Sequence, residues 1–253
     1  MFTDKINQKI QSIEKENLLG ISLMGSHSRG DFGKFSDIDI VCFTKEVIKD
    51  VEVFIIDKKL IVISYVTDKE VENWFTSPEK ITEILYGLTK LITIWDSNNY
   101  LKNLKNRANS FTWNDDLSKK IHKYVNKELT LLIEEVNKGI QGLINKDKGR
   151  MLNCIFGLSH ILAKIICVKK RILIKGDNYQ YEQVLNGYKE QLEITILLKK
   201  VFGENPIELE ERVKAGLQLF KEISTEFKDE MDKETLKMIK STNNSIDWIL
   251  NKN

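Results

Sequence analysis

The chain has 253 residues, of which 42% are hydrophobic and 30% are charged. These proportions are typical of folded globular proteins and exclude a disordered or fibrous chain. The formal net charge is only +2, from 39 basic and 37 acidic residues, so no overall positive field favours nucleic acid as a partner. The length allows one large domain or two smaller ones, and we expect two.

Neither an export signal nor a membrane span is evident. Residues 1–20 alternate acids and lysines, without an apolar segment of signal-peptide length or a small-residue cleavage site. No run approaches eighteen consecutive apolar residues. Cys42, Cys154 and Cys167 lie among apolar neighbours and form no C-x-x-C pair, which predicts buried, reduced thiols. We therefore expect a cytoplasmic protein that is not bound to a membrane.

The first predicted elements are a helix and two strands. Isoleucines at helical spacing predict a helix from about residue 4 to residue 17. The apolar residues 19–24 and 37–43 predict strands, which are separated by a turn that begins Gly25-Ser26. This strand, turn and strand form the centre of the functional interpretation.

The second strand begins with two aspartates. In an extended chain, residues i and i+2 point to the same face, so Asp37 and Asp39 project together while Ile38 and Ile40 face the other way. Paired carboxylate oxygens suit Mg²⁺ or Mn²⁺, which complete their coordination with water and substrate phosphates. The spacing therefore predicts a site for one of these cations.

The turn before that strand has the features of a phosphate site. Gly25 permits close approach of a ligand, and backbone N–H groups at a helix start favour phosphate oxygens. Ser26 adds a hydroxyl donor, and Arg29 adds a planar guanidinium for a phosphate or a carboxylate. We expect His27 to lie in solvent. The alternative is that Gly25 and Gly30 only make turns and that Arg29 is surrounded by water.

The run GSHSRGDFGKFSDIDI resembles the signature of the DNA polymerase beta-like nucleotidyltransferase superfamily, and the chain looks most like the small bacterial enzymes that adenylylate aminoglycosides or lincosamides. A weaker similarity covers residues 91–104. The resemblance implies that the turn holds a nucleoside triphosphate and that the aspartates hold Mg²⁺ or Mn²⁺. The predicted nucleotide-binding residues are Gly25, Ser26, Arg29 and Ser36, and the predicted catalytic metal ligands are Asp37 and Asp39.

The chain departs from that signature at the third carboxylate, which the enzymes it resembles carry on a later strand. The expected acid falls on Val62. Three interpretations remain open: Glu52 on the preceding apolar run replaces the acid, two carboxylates suffice with another base, or the protein binds nucleotide without efficient transfer.

The remainder of the first domain is predicted to complete a mixed sheet of about five strands with helices against it, an α+β fold. Residues 57–59 predict a hairpin turn. Strands are predicted at residues 51–56, 60–66 and 88–95, and helices begin after Thr67, Ser77 and Ser97.

Beyond about residue 112, strand signals vanish and helical patterns repeat, with one exception at residues 171–174. We therefore predict a nucleotidyltransferase domain at residues 1–112 and an all-α helical bundle at residues 113–253. Its helices are predicted at residues 117–144, 149–170, 179–201, 206–228 and 233–250.

In the enzymes that the chain resembles, the helical domain closes over the acceptor and supplies a carboxylate as general base. Glu128 occupies a similar position, with Glu134 and Glu135 as alternatives; a solvated helix face is the competing interpretation for each. Arg150 is a candidate contact for triphosphate or acceptor. His122 and His160 are expected at the core edge or surface, not as ligands.

The leading hypothesis is a Mg²⁺-dependent nucleotidyltransferase that moves AMP from ATP to a hydroxyl of a small polar acceptor. The resemblance alone suggests an aminoglycoside or lincosamide, and a metabolite or a protein hydroxyl stays open. The alternative is a catalytically weak nucleotide-binding protein related to minimal nucleotidyltransferase antitoxins. An RNA-tailing enzyme is disfavoured by the near-neutral charge. A homodimer is compatible with the sequence.

Overall fold

The computed structural model describes residues 4–13, 16–47 and 51–252. The chain divides into two compact units, Met1–Trp113 and Asn114–Asn253. The division lies next to residue 112, where the composition of the sequence changes.

The described part of the first unit contains a five-stranded mixed sheet in the order β3-β4-β2-β1-β5. Strands β2 and β4 are parallel, and the other neighbouring pairs are antiparallel. The predicted α+β class with a mixed sheet of about five strands is confirmed. The strands are β1 Leu18–Leu23, β2 Ile38–Thr44, β3 Val51–Ile56, β4 Lys59–Thr67 and β5 Ile92–Asp96, and the helices are α1 Asp4–Gln11, α2 Gly25–Arg29, α3 Asp68–Thr76, α4 Pro78–Lys90 and α5 Tyr100–Asn109.

One face of the sheet packs against α1, where Ile6 and Ile10 join the buried isoleucines of β2 and β4 in one apolar core. The helix is shorter than predicted. The Ser12 hydroxyl donates to the Lys9 carbonyl at 2.8 Å, a local bond that competes with helix continuation. The extension beyond Gln11 is therefore wrong at Ser12 and Ile13, and residues 14–15 lie outside the described residues.

The opposite face is covered over only part of its width. Helix α5 lies directly on β1, since a Cβ at Gly20 would come within 2.5 Å of the Leu101 Cγ. The Phe43 ring is fully buried on this face, 6.2 Å from the Trp74 ring and 5.9 Å from the Tyr100 ring. On β3 and β4, by contrast, apolar side chains of the same face are exposed. The covered half of this face thus includes β1 and the C-terminal end of β2, where Phe43 lies.

The ends of several elements follow local chemistry. Thr67 and Glu70 form a capping box at the start of α3, as predicted. The Asp96 carboxylate accepts the Leu101 and Lys102 N–H groups and so caps α5. The predicted strand start at residue 88 is wrong, because Leu88 is buried in the last turn of α4 and β5 begins at Ile92. An apolar run that passes from helix to strand does not show where the change occurs.

The described part of the second unit is helical, as predicted. The predicted helix at residues 179–201 is interrupted after Asn186. There Tyr188 is buried, and its hydroxyl donates to Glu226 at 2.7 Å, which anchors the interruption. The helices are α6 Asp115–Asn145, α7 Lys148–Lys169, α8 Asp177–Asn186, α9 Leu192–Phe202, α10 Leu209–Glu226 and α11 Lys233–Leu250, with a short 3₁₀ helix at Lys228–Glu230.

Helix α7 is the one described helix that is long and apolar enough to cross a membrane by length and composition. Half of its residues are buried inside the unit, including Cys154 and Cys167, which indicates a core helix. Burial raises the pKa of both thiols to about 12. These cysteines and Cys42 are buried and form no disulfide with one another. The predicted burial of the three thiols is confirmed.

Candidate nucleotide and metal site

The two aspartates lie at the start of β2. Asp37 immediately precedes the strand and Asp39 is its second residue; both are half-buried, whereas Ile38 and Ile40 are buried against the α1 side. The two carboxylates therefore share a face, as the strand alternation predicts. Burial raises the pKa of Asp39, the negative charge of Asp37 raises it further, and Arg29 acts in the opposite direction. This effect of Asp37 on Asp39 agrees with their placement two residues apart on one face.

The turn and the aspartates come together at Gly25. Its φ is +64°, and a Cβ built there would lie 1.9 Å from the Asp39 Oδ2. The preceding Met24 N–H donates to the Asp39 carbonyl at 2.9 Å, which fixes β1 and β2 at this point. Only glycine combines this backbone angle with such close approach to a carboxylate. The start of α2 and the Asp39 carboxylate are therefore adjacent, so one ligand can contact both.

Two buried polar atoms on α2 have no hydrogen-bond partner within the described residues, Ser26 Oγ and His27 Nε2. The neighbouring Ser28 differs, because its hydroxyl donates to the Gly25 carbonyl at 2.9 Å. A buried hydroxyl without a partner costs free energy unless a ligand or water satisfies it. Ser26 therefore has a donor available for a ligand oxygen beside Asp39.

His27 is half-buried with a buried Nε2, which corrects the expectation that it lies in solvent. Its ring stacks on Phe32, with centroids 4.2 Å apart and planes 8° apart. Burial lowers the pKa of His27, the positive charge of Lys59 lowers it further, and Asp37 partly offsets both. The sequence contains only a faint signal for this arrangement, an aromatic residue five positions after the histidine.

Arg29 and Ser36 have partners in the protein. The Arg29 Nε lies 3.0 Å from the Asp31 Oδ2, although the guanidinium remains near enough to Asp39 to influence that carboxyl. The Ser36 hydroxyl accepts the Gly33 N–H at 2.8 Å and so closes the loop before β2. The structure thus accounts for Ser36 as a turn residue, and nucleotide binding by Arg29 and Ser36 stays a prediction.

Among the described residues, no third carboxylate joins Asp37 and Asp39 in a metal-binding group. Val62 is the register partner of Asp39 on the neighbouring strand β4. Glu52 pairs with Ile63 and therefore points to the α1 side, where it accepts the Tyr65 hydroxyl at 2.6 Å and lies 3.7 Å from the Lys9 Nζ. The proposal that Glu52 replaces the missing acid is wrong, because that carboxylate is on the opposite face of the sheet.

The chemistry of this place suits a magnesium-like ion. Within the described residues, no group of three or more His, Cys, Asp or Glu side chains is placed to hold a metal. Asp37 and Asp39 supply hard oxygen ligands on one face, and their mutual repulsion is relieved by a cation between them. A hexacoordinate ion held by two carboxylates keeps positions for water and phosphate oxygens. The residues present therefore fit Mg²⁺ or Mn²⁺.

The candidate bases lie on α6 in the second unit. The Glu128 Oε1 is 3.1 Å from the Lys127 Nζ, and the side chain is 17% exposed. Glu134 and Glu135 both pair with Lys138, at 2.9 and 2.7 Å. These ion pairs leave Glu128 accessible in part, and its role as a base stays a prediction.

Other polar residues of the second unit have structural roles. Arg150 is exposed near the start of α7, with its Nε 3.3 Å from the Asp147 Oδ2. His122 pairs with Glu230, a buried carboxylate that also accepts from Lys169. The sequence did not indicate this buried cluster. His122 therefore pairs with a buried acid at the edge of the core, in agreement with the expectation from sequence.

Residues 4–91 match the family model described as the nucleotidyltransferase domain. This segment contains all of the sheet except β5, together with every site residue of the first unit. The chain is also similar to the crystal structure of a nucleotidyltransferase-like protein from Exiguobacterium sibiricum 255-15, with a TM-score of 0.51 and 13% identity over 88% of this chain and 73% of that chain. At this identity the likeness shows the fold. No curated protein matches the chain.

Proposed function

We propose that the nucleotidyltransferase domain matched at residues 4–91 transfers AMP from ATP to a hydroxyl group of a small acceptor and releases pyrophosphate. The observation that carries the proposal is the approach of Gly25 to Asp39, where a Cβ would lie 1.9 Å from the carboxylate oxygen. A phosphate-binding turn and a pair of metal-binding carboxylates therefore border the same place, which is what phosphoryl transfer from a triphosphate requires.

The turn binds the triphosphate. We expect the N–H groups at the start of α2 to donate to phosphate oxygens. The Ser26 hydroxyl, which has no partner among the described residues, adds a further donor. Arg29 stands beside these groups and adds positive charge. The binding of the triphosphate thus satisfies a buried donor that the protein itself leaves without a partner among the described residues.

Asp37 and Asp39 hold Mg²⁺ or Mn²⁺ on the open face of the sheet. When bound, such an ion would supply positive charge to offset the charge on the phosphate oxygens. The role of the two carboxylates is to hold it, and the backbone of Asp39 is fixed by the hydrogen bond from the Met24 N–H to its carbonyl. The acceptor oxygen forms the new bond to the α-phosphorus as the bond to pyrophosphate breaks.

Glu128 takes the proton of the acceptor hydroxyl, with Glu134 and Glu135 as alternatives on the same helix. This assignment rests on the resemblance, as does the acceptor class of aminoglycosides and lincosamides. We expect the reaction in the cytoplasm, without a membrane or nucleic acid partner, and a homodimer is compatible with it.

A second candidate function is favoured by one observation. Val62, in register with Asp39, stands where a third carboxylate would complete the site. If two carboxylates do not support transfer, the chain is a nucleotide-binding protein with weak or no catalysis.

The proposal is tested by incubating the purified protein with Mg²⁺, labelled ATP and a panel of hydroxylated antibiotics, with pyrophosphate release as the readout. Asp39→Asn should abolish release and leave the fold intact by circular dichroism. Asp57→Asn, the same change at a hairpin residue beyond the site, should retain activity. Full activity of Asp39→Asn contradicts the metal assignment, and ATP binding without release across the panel favours the second candidate function.

A further inference from the structure

The open face of the sheet continues from Asp39 into a row of apolar side chains. Val62 on β4 is the register partner of Asp39, and Val53 on β3 is the register partner of Val62. The next pair along the same two strands and the same face is Leu60 with Ile55. We call Val53, Ile55, Leu60 and Val62 the apolar platform.

The apolar platform is exposed, although its side chains are large and hydrophobic. Val53 is 58% exposed, Ile55 78% and Leu60 40%, and Val62 is half-buried. Four adjacent apolar side chains on one bare half of a sheet make a contiguous patch, and such patches mark binding surfaces more often than scattered exposed residues do. The patch also adjoins the candidate metal site, so a ligand bound on the patch would lie next to Asp39.

Lys59 borders the apolar platform on the side of the loop before β2. Its Nζ donates to the Lys34 carbonyl at 2.7 Å, which ties the residue before Leu60 to that loop. The carboxylate of β3, Glu52, points to the other face and is occupied by Tyr65. Strands β3 and β4 present no acid to this face, so the apolar platform itself offers no carboxylate to a polycation; the acids that border it are Asp37 and Asp39, the proposed metal ligands.

In-line transfer sets where the acceptor must lie. In the proposed function the triphosphate would lie on the α2 side of Asp39, and the acceptor oxygen would attack the α-phosphorus from the side opposite the departing pyrophosphate. The body of the acceptor then extends away from α2, across Val62 and Val53. A ligand that covers this row removes apolar surface from water on both partners.

We propose that the apolar platform binds the acceptor, and that the acceptor is an amphipathic hydroxyl compound with an apolar face and at most one positive charge. This inference rests on the proposed function and narrows its acceptor class. Polycationic antibiotics are disfavoured, since such compounds need carboxylates that the platform does not supply. Val53 and Ile55 are then specificity residues that touch the acceptor and leave the triphosphate alone.

The test compares lincomycin, an amphipathic hydroxyl compound, with kanamycin, a polycation, in the wild type and in Val53→Asp and Val53→Thr. We expect release of pyrophosphate with lincomycin, a rise of about tenfold in its KM in Val53→Asp, which corresponds to 1.4 kcal/mol, and a smaller rise in Val53→Thr. The KM for ATP and the kcat should be unchanged. Leu192→Asp, an exposed leucine of α9, is the matched control and should change neither constant.

Binding measured directly keeps the inference separate from the proposed function. Calorimetry with lincomycin and a non-hydrolysable ATP analogue should show binding to the wild type and about tenfold weaker binding to Val53→Asp, even if no transfer occurs. Asp39-dependent transfer to kanamycin that is unaffected by Val53→Asp overturns the inference and leaves the proposed function standing. Failure of lincomycin to bind overturns it as well. A wild-type dimer that Val53→Asp dissociates would assign the platform to a second copy of the chain.

Discussion

The carboxylate of Glu52 on one face of the N-terminal sheet has hydrogen-bond and charge partners, whereas Asp37 and Asp39 on the other face lie beside each other. On the α1 side, Glu52 accepts the Tyr65 hydroxyl at 2.6 Å and lies 3.7 Å from the Lys9 Nζ. On the open side, Asp37 and Asp39 repel each other, and the burial of Asp39 adds to the cost of its charge. A carboxylate with partners stabilises the fold, whereas a repelling pair costs stability and is compensated only when a cation binds.

The same contrast applies to hydroxyl groups. Tyr65 on the α1 side gives its hydrogen bond to Glu52, and burial together with that bond raises its pKa above the ordinary tyrosine value. Ser26 on the open side has a buried Oγ without a partner among the described residues. Two of the five buried polar atoms without a partner among the described residues, Ser26 Oγ and His27 Nε2, lie on α2, where the ligand is proposed to bind.

The largest effect expected in this comparison comes from filling the space between Gly25 and the Asp39 carboxylate with a methyl group. Gly25→Ala puts a Cβ 1.9 Å from the Asp39 Oδ2 and forces a side chain into a positive φ of 64°. Either the turn or the carboxylate must move by about an ångström, so we expect transfer to fall about 100-fold or more. Pyrophosphate release at saturating ATP measures the loss.

Gly30→Ala is the matched control. Its φ is +82°, but a Cβ there would have no neighbour within 4 Å in the described structure. We expect a loss of about 1 kcal/mol in the free energy of unfolding and nearly full activity. Equal losses of activity in the two variants would show that backbone strain, and not the approach to Asp39, explains the effect.

A new acid at Val62 should make the open face bind metal more tightly. Val62→Asp places a third carboxylate in register with Asp39, and we expect the affinity for Mn²⁺ to rise about tenfold, a difference of about 1.4 kcal/mol. Electron paramagnetic resonance of free Mn²⁺ follows the titration without any need for activity. Val62→Asn has the same shape without the charge and should bind Mn²⁺ as the wild type does. Unchanged affinity in Val62→Asp would argue against a metal at the aspartates.

Strand alternation was sufficient to predict one part of the site. The period of two residues predicts Asp37 and Asp39 on one face, and the Gly25-Ser26 pair at the end of the first apolar strand predicts a turn there. What the alternation does not reveal is the distance between the turn and the carboxylates. That distance depends on the pairing of β1 with β2, which brings Met24 to the Asp39 carbonyl.

The side of Glu52 depended on a single residue of the hairpin. A turn of three residues, 57–59, would pair Ile56 with Leu60 and put Glu52 on the same face as Val62. The structure has a turn of two residues, Asp57 and Lys58, both with positive φ, and Ile56 pairs with Lys59. Because a shift of one residue moves every side chain to the other face, Glu52 points away from the site.

The α1 side offers a smaller effect that separates structure from catalysis. Glu52→Gln should lower the free energy of unfolding by about 1 to 2 kcal/mol, because the short bond from Tyr65 and the nearby Lys9 both lose a charged partner. Pyrophosphate release should not change. Chemical denaturation of Glu52→Gln, Tyr65→Phe and the double variant isolates the bond between them. A reduced kcat in Glu52→Gln at unchanged stability would contradict the conclusion that Glu52 has no catalytic role.

The smallest expected effect concerns the stability of the metal-free protein. The pKa of Asp39 is raised in the folded state, first by burial and then by Asp37. The folded protein therefore binds more protons than the unfolded chain between the ordinary aspartate pKa and the raised value, and stability falls as pH rises through that interval. Asp39→Asn removes the charge, so at pH 7 without metal it should unfold at a slightly higher temperature than the wild type.

Below both pKa values the two proteins should unfold at nearly the same temperature, because the wild-type carboxyl is then neutral as well. Added Mg²⁺ should raise the unfolding temperature of the wild type and not that of Asp39→Asn, because only the wild type retains both ligands. The order at pH 7 thus reverses when the cation is present. A lower unfolding temperature for the metal-free Asp39→Asn at pH 7 would mean that Asp39 stabilises the fold as Glu52 does, and the contrast between the two faces would not hold.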